Sequence, residues 1–466
     1  MKNMFFDINK ITIGLLLMAT SFASCKKLIV IPENPPAEIT RQQEFSDSAS
    51  TISAIAGVYS YNTGNGFAYS DGTLTYSTGL SSDELTYTQT DDKQQFYNYA
   101  LTPLNMEIPN LWSYPYQSIY QVNDILSGVT NNSGLSASFT KQITGEMEVV
   151  RALYYFNLVN LFGEVPLVTT TNYTATEHIP KTPIATVYHQ IMVDLADART
   201  KLTANYPSSG RARQNLYTAL TLLAKVNLYQ GNWTNAYHEA DSVITQGGYS
   251  LEPTLNNVFL DGSQEAIWQI PAATSYSAVA DGQNFLPDYS GAPILFPLST
   301  SLVSAFETGD QRFQNWVASS VTGANTAYYP YKYKDRQPST PAEDQMIFRL
   351  AEVYLIRAEA AAHINNLPQA IADINTIRTR AGLPNSTADV TSQTAVLNAV
   401  MHERQTELFC EWGNRWFDLK RNVTAATSAA TVLRAEKTGF TTNAELYPIP
   451  ESQIQLNNLL IQNKGY

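Results

Sequence analysis

Residues 214–246, QNLYTALTLLAKVNLYQGNWTNAYHEADSVITQ, and residues 345–381, QMIFRLAEVYLIRAEAAAHINNLPQAIADINTIRTRA, share the pattern that decides the fold. In each stretch, apolar residues at helical spacing lie on both sides of a short polar turn. The turn is Gly231-Asn232 in the first stretch and Asn365-Asn366 in the second. The pattern therefore predicts two helical hairpins of the same kind.

Small alanines recur where the two helices of each hairpin must approach closely. Ala224 and Ala236 align with Ala358 and Ala370 at an offset of 134 residues. This pattern resembles the tetratricopeptide repeat, whose period is about 34 residues. Generic helical hairpins are the alternative, because alanine is common at such positions. Repeats need stacked neighbours to bury their faces. Further windows with helical periodicity can supply these neighbours, at 46–60, 112–127, 142–162 and 184–202.

Two segments, 61–111 and 247–345, interrupt the helical pattern with Gly, Pro, Ser, Thr and many aromatic residues. We expect loops with short strands there, and such segments carry function more often than the scaffold does. The predicted fold class is mostly α: a tetratricopeptide-like helical-hairpin scaffold with an irregular, loop-rich half that contains short strands. Trp112 and Tyr120 lie on a helical stripe and are predicted to belong to the core.

The composition narrows the class of ligand. The chain has 466 residues, of which 44% are apolar and only 15% are charged, and its net charge is −12. No basic run is longer than a pair such as Lys26-Lys27, whereas binding to nucleic-acid phosphates needs clustered cations. We therefore expect no nucleic-acid partner. Abundant neutral hydrogen-bonding side chains favour a neutral, hydroxyl-rich ligand.

The first 25 residues have the features of a secretion signal. Two lysines precede an apolar stretch, 11–23, that is shorter than the roughly 20 residues needed to span a bilayer. It ends in Ala23-Ser24-Cys25, which resembles a bacterial lipoprotein cleavage site, where the cysteine becomes the lipidated first residue. We therefore predict a lipoprotein signal peptide at 1–24, lipidation of Cys25 and an extended tether over 25–45. An ordinary signal peptide with an incidental cysteine is the alternative.

Several separated segments carry a resemblance to one family. They are EMEVVRALYYFNLVNLFGEVPLV at 146–168, MHERQTELFCEWGNRWFDLKR at 401–421, LYPIP at 446–450 and QNKGY at 462–466. Together with blocks at 45–59, 112–123 and 349–360, they resemble the SusD/RagB family over nearly the whole chain from Cys25 onward. Several motifs in the right order are more specific than any one of them.

The resemblance implies a nutrient-binding lipoprotein that is anchored by lipid in the Bacteroidetes outer membrane and exposed at the cell surface. Such proteins cap a TonB-dependent, SusC-like transporter and help capture glycans for import. The implied partners are that transporter, a glycan and the membrane, with no cofactor and no enzymatic step. The implied layout is one SusD-like domain over 46–466, with helical repeats at about 112–246 and 345–420 and ligand-binding segments at about 61–111 and 247–345.

A glycan site needs flat aromatic side chains for the apolar faces of sugar rings and fixed polar groups for the hydroxyls. Both loop-rich segments supply this mixture. The alternative is that most of these aromatics pack the core of the loop-rich half. The candidate ligand-binding residues are Tyr76, Asp83, Tyr87, Tyr97, Tyr99, Trp268, Tyr289 and Tyr331.

Glu403, Glu407 and Glu411 recur every four residues on one predicted helix face. One hypothesis is a carboxylate pair in a secreted glycosidase, which needs two carboxyls about 5–10 Å apart. We favour a structural ion network, because like charges at this spacing need nearby cations. The candidate cations are Arg404, Arg415 and Arg421.

The other chemistry-bearing residues point to no further site. The five histidines show no metal-ligand spacing, and no nucleophile or phosphate-binding motif occurs, so we predict no metal and no catalytic residue. With Cys25 lipidated, Cys410 has no partner for an intrachain disulfide and is predicted to be a buried small hydrophobe. A tetratricopeptide-type scaffold that binds a protein and no glycan is the rival function.

Overall fold

The computed structural model describes residues 40–60, 67–272, 278–323 and 325–466. Within these ranges the chain is mostly helical with two small sheets, which confirms the predicted fold class. The predicted signal peptide, Cys25 and the tether up to residue 39 lie outside the described residues. The last part of the predicted tether is a short helix, Arg41–Glu44, whose first turn is closed by a capping box at Thr40.

The helices up to residue 246 form the N-terminal part of the scaffold. In chain order they are α1 Arg41–Glu44, α2 Ser48–Val58, α3 Thr73–Ser81, α4 Gln94–Asn98, α5 Ile108–Val129, α6 Ala137–Phe162, α7 Tyr173–Thr176, α8 Ile184–Lys201, α9 Leu216–Tyr229 and α10 Trp233–Gln246.

The elements after residue 246 combine short strands with further helices. In chain order they are a 3₁₀ turn Leu255–Asn257, β1 Ala266–Pro271, α11 Ala280–Phe285, α12 Thr300–Ala305, α13 Gln311–Trp316, β2 Val317–Thr322, β3 Asn325–Pro330, β4 Asp344–Arg349, α14 Leu350–His363, α15 Leu367–Arg380, α16 Gln393–Glu407, α17 Asn414–Arg421, a 3₁₀ turn Ala425–Thr427, α18 Ala429–Glu436, a 3₁₀ turn Thr442–Glu445 and α19 Glu451–Leu456. Strand β1 pairs antiparallel with β4, and β2 pairs antiparallel with β3.

The two predicted hairpins are present and equivalent. Each boundary of α14 and α15 lies 134 residues after the matching boundary of α9 and α10. The turns contain Gly231 at φ +71° and Asn365 at φ +62°, a left-handed conformation that glycine and asparagine tolerate best. Ala236 and Ala370 are fully buried at the close approach of the helices. The prediction of a repeated helical hairpin is therefore confirmed.

The scaffold helices stack in a row, each against the next. The order is α5, α6, α8, α9, α10, α14, α15 and α16. Helix α6 is buried on nearly all sides from Gly145 to Phe162, because its neighbours in the row enclose it. A buried Arg151 joins it to α8 through two bonds to Asp194 of 2.7 and 2.8 Å. This row provides a rigid support for the loop-rich half.

Two local predictions need correction. Trp112 belongs to the core at 2% exposure, as predicted, but Tyr120 is 55% exposed, because Ile119 and Val122 occupy the buried side of α5 instead. In the segment 61–111, the described residues form helices α3 and α4 where we expected short strands. The reason is that α3 is buried on every side, so its sequence carries no periodic signal. Cys410 is buried, as predicted.

Gly128 allows α5 to approach the N-terminal helices closely. A Cβ added at Gly128 would lie 2.4 Å from Cδ2 of the buried Phe45 ring, whereas a Cβ added at Gly57 in α2 would have no neighbour within 4 Å. We expect Gly128→Ala to lower the free energy of unfolding by about 1–3 kcal/mol. The matched control, Gly57→Ala, should be neutral or stabilise by up to about 1 kcal/mol. Urea denaturation measures both, and equal effects would contradict this packing.

No helix in the described part of the chain combines the length and hydropathy needed to cross a bilayer.

Candidate ligand-binding face

Three segments of the loop-rich half are joined edge to edge and form a surface that we call the loop face: 84–88, 286–299 and 325–343. The amide of Thr86 donates to the carbonyl of Pro297 (2.8 Å), and the amide of Leu298 donates to the carbonyl of Tyr328 (2.8 Å). Backbone hydrogen bonds therefore fix these irregular segments to one another, although they are far apart in sequence.

Three of the predicted ligand-binding residues lie on the loop face. Tyr289 is 69% exposed at the start of a turn in the middle segment. Tyr87 is half-buried, with its ring centroid 5.1 Å from that of Phe296 and its hydroxyl donating to Asp91 (2.7 Å). Tyr331 is half-buried, with the Lys334 ammonium 4.1 Å from its ring centroid. These rings can offer flat apolar surface to a ligand.

The turn between β3 and β4 adds polar groups to the same face. The carboxylate of Glu343 accepts from the amides of Lys334 (2.6 Å) and Asp335 (3.3 Å), which closes the turn. Burial raises the pKa of Glu343 to about 7 and lowers the pKa of Lys334 to about 8. Arg336 donates to the carbonyls of Gln283 and Leu286, which fixes the turn to the end of α11.

A cleft of about 100 Å³ lies between this turn and the residues Ala272, Ala278 and Val279. Asp335, Gln337 and Ser339 are among its other lining residues. It is smaller than the roughly 300–1,000 Å³ that is usual for a small-molecule pocket, so it can take one group of a larger ligand. Sequence reasoning did not single out these three residues. The sequence feature that could have indicated them is the run KDRQPSTPAED at 334–344. This run is rich in polar residues and proline and lies inside a predicted loop.

Three other candidates are buried with their polar groups already paired, so their positions do not support contact with a ligand. Trp268 is fully buried and donates from Nε1 to the carbonyl of Ala212 (3.0 Å). Tyr76 is 5% exposed and donates to Glu107 (2.6 Å). Asp83 is 1% exposed and accepts two bonds of 2.6 Å from one guanidinium. Packing accounts for the two buried aromatic residues, and charge pairing accounts for Asp83, so none of the three needs a ligand to explain its position.

Tyr97 and Tyr99 lie apart from the loop face, against the C-terminal part of the scaffold. The Lys437 ammonium is 4.7 Å from the ring centroid of Tyr97. The Tyr99 ring packs 5.2 Å from Phe440, and its hydroxyl donates to the carbonyl of Ser81. These two candidates are therefore not brought together with Tyr87, Tyr289 and Tyr331.

Two family models match the chain. One, described as the SusD family, matches residues 306–466, and the other, described as starch-binding associating with outer membrane, matches residues 37–228. The chain belongs to the SusD/RagB family. A relative, SusD-like protein P25 of Formosa agariphila, is 24% identical over 98% of this chain and 99% of its own length.

Solved structures of the SusD superfamily share the fold. A laminarin-binding SusD-like protein is 25% identical, with a TM-score of 0.74 over 90% of this chain and 100% of that one. Surface glycan-binding protein A of Bacteroides uniformis is 20% identical, with a TM-score of 0.74 over 89% of this chain and 99% of that one.

Neither of the two ranges matched by the family models includes the loop-face segment 286–299.

The SusD-family range contains a buried network of carboxylates and cations at the end of α16. Glu407 is fully buried and accepts from Arg349 (2.5 Å) and Arg312 (3.3 Å), and it also pairs with Arg380. Burial by itself would raise the pKa of Glu407, but the guanidiniums of Arg380, Arg349 and Arg312 together lower it well below its usual value. Glu407 therefore stays ionised inside the protein, where no sugar reaches it.

The two other glutamates belong to the same network. Glu403 pairs with Arg312 (2.5 Å), and Glu411 pairs with Arg349 (2.8 Å). Helix α16 ends at Glu407, so the prediction that all three share one helix face is wrong for Glu411, which lies in the following turn. The structural ion network is confirmed, and its carboxylates have no geometry for glycoside hydrolysis because cations enclose them.

The predicted cations of this network are wrong. Arg404 pairs with Asp418 (2.6 Å), Arg415 pairs with Asp83 (2.6 Å), and Arg421 pairs with Glu359 and Asp418. The cations that surround Glu407 come from α13, β4 and α15, which are distant in sequence. Separately, the described ranges contain no group of three or more His, Cys, Asp or Glu side chains placed to hold a metal ion.

Proposed function

We propose that this chain is an outer-membrane lipoprotein that binds a glycan on the loop face and passes it to a TonB-dependent, SusC-like transporter. The observation that carries the proposal is the exposed Tyr289 on a hydrogen-bonded face, with Tyr87 and Tyr331 half-buried on the same face. Membership of the SusD/RagB family supports it, as do a relative named for laminarin binding and another named for surface glycan binding. We assign no catalytic residue.

The physical basis is that aromatic rings cover the C–H faces of sugars while fixed polar groups pair with hydroxyls. On the loop face the rings and the polar turn 334–343 are held by backbone bonds, so little ordering is needed when the ligand binds. The site would be shallow, because the cleft beside the turn is small. Affinity would then come from several weak contacts along an extended glycan.

Removal of the exposed ring tests the site. We expect Tyr289→Ala to weaken retention in affinity gels that contain the bound polysaccharide, with an affinity loss of about fivefold or more. The panel includes laminarin and starch. The matched control, Tyr120→Ala, removes an exposed tyrosine from α5 and should leave retention unchanged.

Two results would contradict the proposal. Equal loss in both tyrosine variants would mean that the effect is not specific to the loop face. Absence of binding to every glycan, together with co-purification of a protein partner, would favour the rival scaffold function.

The lipid anchor is a separate part of the proposal and rests on the sequence Ala23-Ser24-Cys25. Cys25→Ala in the full chain should move the protein from the membrane fraction to the soluble fraction and abolish labelling with palmitate. Cys410→Ala is the control and should retain both, since Cys410 is buried. An unchanged distribution of Cys25→Ala would refute the anchor. The division into a signal peptide (1–24), a tether (25–45) and one domain (46–466) belongs to the same proposal.

A further inference from the structure

A second cleft lies on the scaffold, and none of its lining residues belongs to the loop face. It has a volume of about 330 Å³ and is formed by α5, the segment 166–179 and α19. We call it the C-terminal cleft. Its volume falls at the lower end of the range for small-molecule pockets. Neither the family resemblance nor the predicted site residues assign it a role.

The walls of the C-terminal cleft are aromatic and aliphatic. Trp112 and Tyr116 line it from α5, Tyr173 lines it from the segment 166–179, and Leu456 lines it from α19. Tyr173 and Leu456 are 71% and 72% exposed, so both stand at the open rim. A flat ring that faces solvent beside an apolar wall can cover one face of a bound ring.

The walls are held in place by the protein itself. The Tyr116 hydroxyl donates to the carbonyl of Pro166 (2.7 Å), which ties α5 to the segment 166–179. The Asn457 amide donates to the carbonyl of Ile179 (2.8 Å), which ties the end of α19 to the same segment. Three parts of the chain that are distant in sequence are thus fixed around one space.

Polar groups around this space are free to bind. Glu177, His178 and Gln453 line the cleft, and in the part of the chain that the structure describes their side chains form no hydrogen bond or ion pair. The cleft of about 340 Å³ beside α16 differs in this respect, because its Arg378 and Glu307 are paired with each other. The C-terminal cleft therefore combines apolar walls with an unpaired carboxylate, an imidazole and an amide.

We propose that the C-terminal cleft is a second carbohydrate site, which takes one or two sugar rings with Tyr173 against a C–H face and with Glu177 and Gln453 on the hydroxyls. A carboxylate and a primary amide together offer acceptors and donors, which suits hydroxyl groups that need both. This proposal does not depend on glycan binding at the loop face or on the transporter. An experiment can therefore refute the proposal for the C-terminal cleft without refuting the proposed function, and the reverse also holds.

Saturation-transfer NMR on the purified chain, with the methyl glycosides of glucose, galactose, mannose and N-acetylglucosamine as probes, tests this site. We expect at least one glycoside to bind, and Tyr173→Ala and Gln453→Ala each to weaken that binding about fivefold or more. The matched control is Tyr120→Ala, which removes an exposed tyrosine that lines neither the C-terminal cleft nor the loop face. It should leave the binding unchanged.

Four outcomes would overturn the proposal. The first is that no glycoside binds at millimolar concentration, and the second is that Tyr173→Ala and Gln453→Ala leave every signal unchanged. The third is that these variants alter only the co-purification of another protein, which would make the cleft a protein-docking surface. Loss of binding in Tyr289→Ala alone would place the signal on the loop face and would also refute the second site. Because Tyr173 and Tyr120 are both exposed, neither substitution should disturb the fold, and circular dichroism checks this.

Discussion

Glu407→Gln is expected to lower the free energy of unfolding by about 3–5 kcal/mol. The substitution replaces a negatively charged carboxylate, which faces three buried guanidiniums, with a neutral amide. Arg312 and Arg349 are each 1% exposed, and water cannot replace the lost partner. The amide keeps the shape of the side chain, so the loss measures charge pairing and not a cavity. Midpoints of urea denaturation give the difference.

The same variant has a characteristic pH dependence. The folded-state pKa of Glu407 lies below its unfolded value of 4.5, so its stabilising contribution is present above about pH 4.5 and is lost as the pH falls through the folded-state pKa. The difference in stability between wild type and Glu407→Gln should therefore shrink as the pH is lowered from 7 towards 3.

A matched change outside the network is the control for Glu407→Gln. Glu239 pairs with Arg199, whose side chain is 51% exposed, so water can solvate that guanidinium after Glu239→Gln. We expect a loss of about 1 kcal/mol or less there. If Glu407→Gln were equally mild, the network would be dispensable and the assignment of Glu407 as a structural partner would be wrong.

The scaffold could be predicted from the sequence because its signal is local. Helical spacing and a turn residue that tolerates positive φ both lie within about 34 residues, so Gly231 and Asn365 were enough to place two hairpins. The short helix α3 was missed because every one of its residues is buried, which removes the contrast between an apolar and a polar face. Periodicity therefore identified the long scaffold helices and failed for this short segment of nine residues, all of which are buried.

The site was harder to predict, because an aromatic residue has the same sequence signal in a core and in a ligand site. Trp268 and Tyr289 both lie in a loop-rich segment, yet one is fully buried and the other is 69% exposed. Exposure depends on contacts between distant segments, such as the stacking of Tyr76 on Phe296 at a centroid distance of 5.4 Å. The partners of charged residues are non-local for the same reason, and Asp83 is the clearest case.

We expect Asp83→Asn to lower the free energy of unfolding by about 3–5 kcal/mol and to leave the glycan affinity of the folded protein unchanged. Asp83 accepts from Nε and Nη2 of Arg415 at 2.6 Å each, and from Gln405 at 3.1 Å. Burial alone would raise the pKa of Asp83, but Arg415 lowers it below its usual value, so the charged form is the stable one. An asparagine leaves the buried guanidinium without a countercharge.

Because of the position of Asp83, this experiment distinguishes a structural role, in which Asp83 holds the loop face to the scaffold, from a role in ligand binding. Asp83 directly precedes the loop-face segment 84–88, and Arg415 lies on α17, so their ion pair fastens the loop face to the C-terminal scaffold. The control is Asp124→Asn, whose partner Arg41 is 51% exposed, and we expect a loss of about 1 kcal/mol or less. A ligand-binding role would give the opposite result: stability close to that of the control and loss of glycan retention. A fastening role predicts lower stability with retention preserved below the denaturation midpoint, because the exposed tyrosines of the loop face are untouched by the substitution.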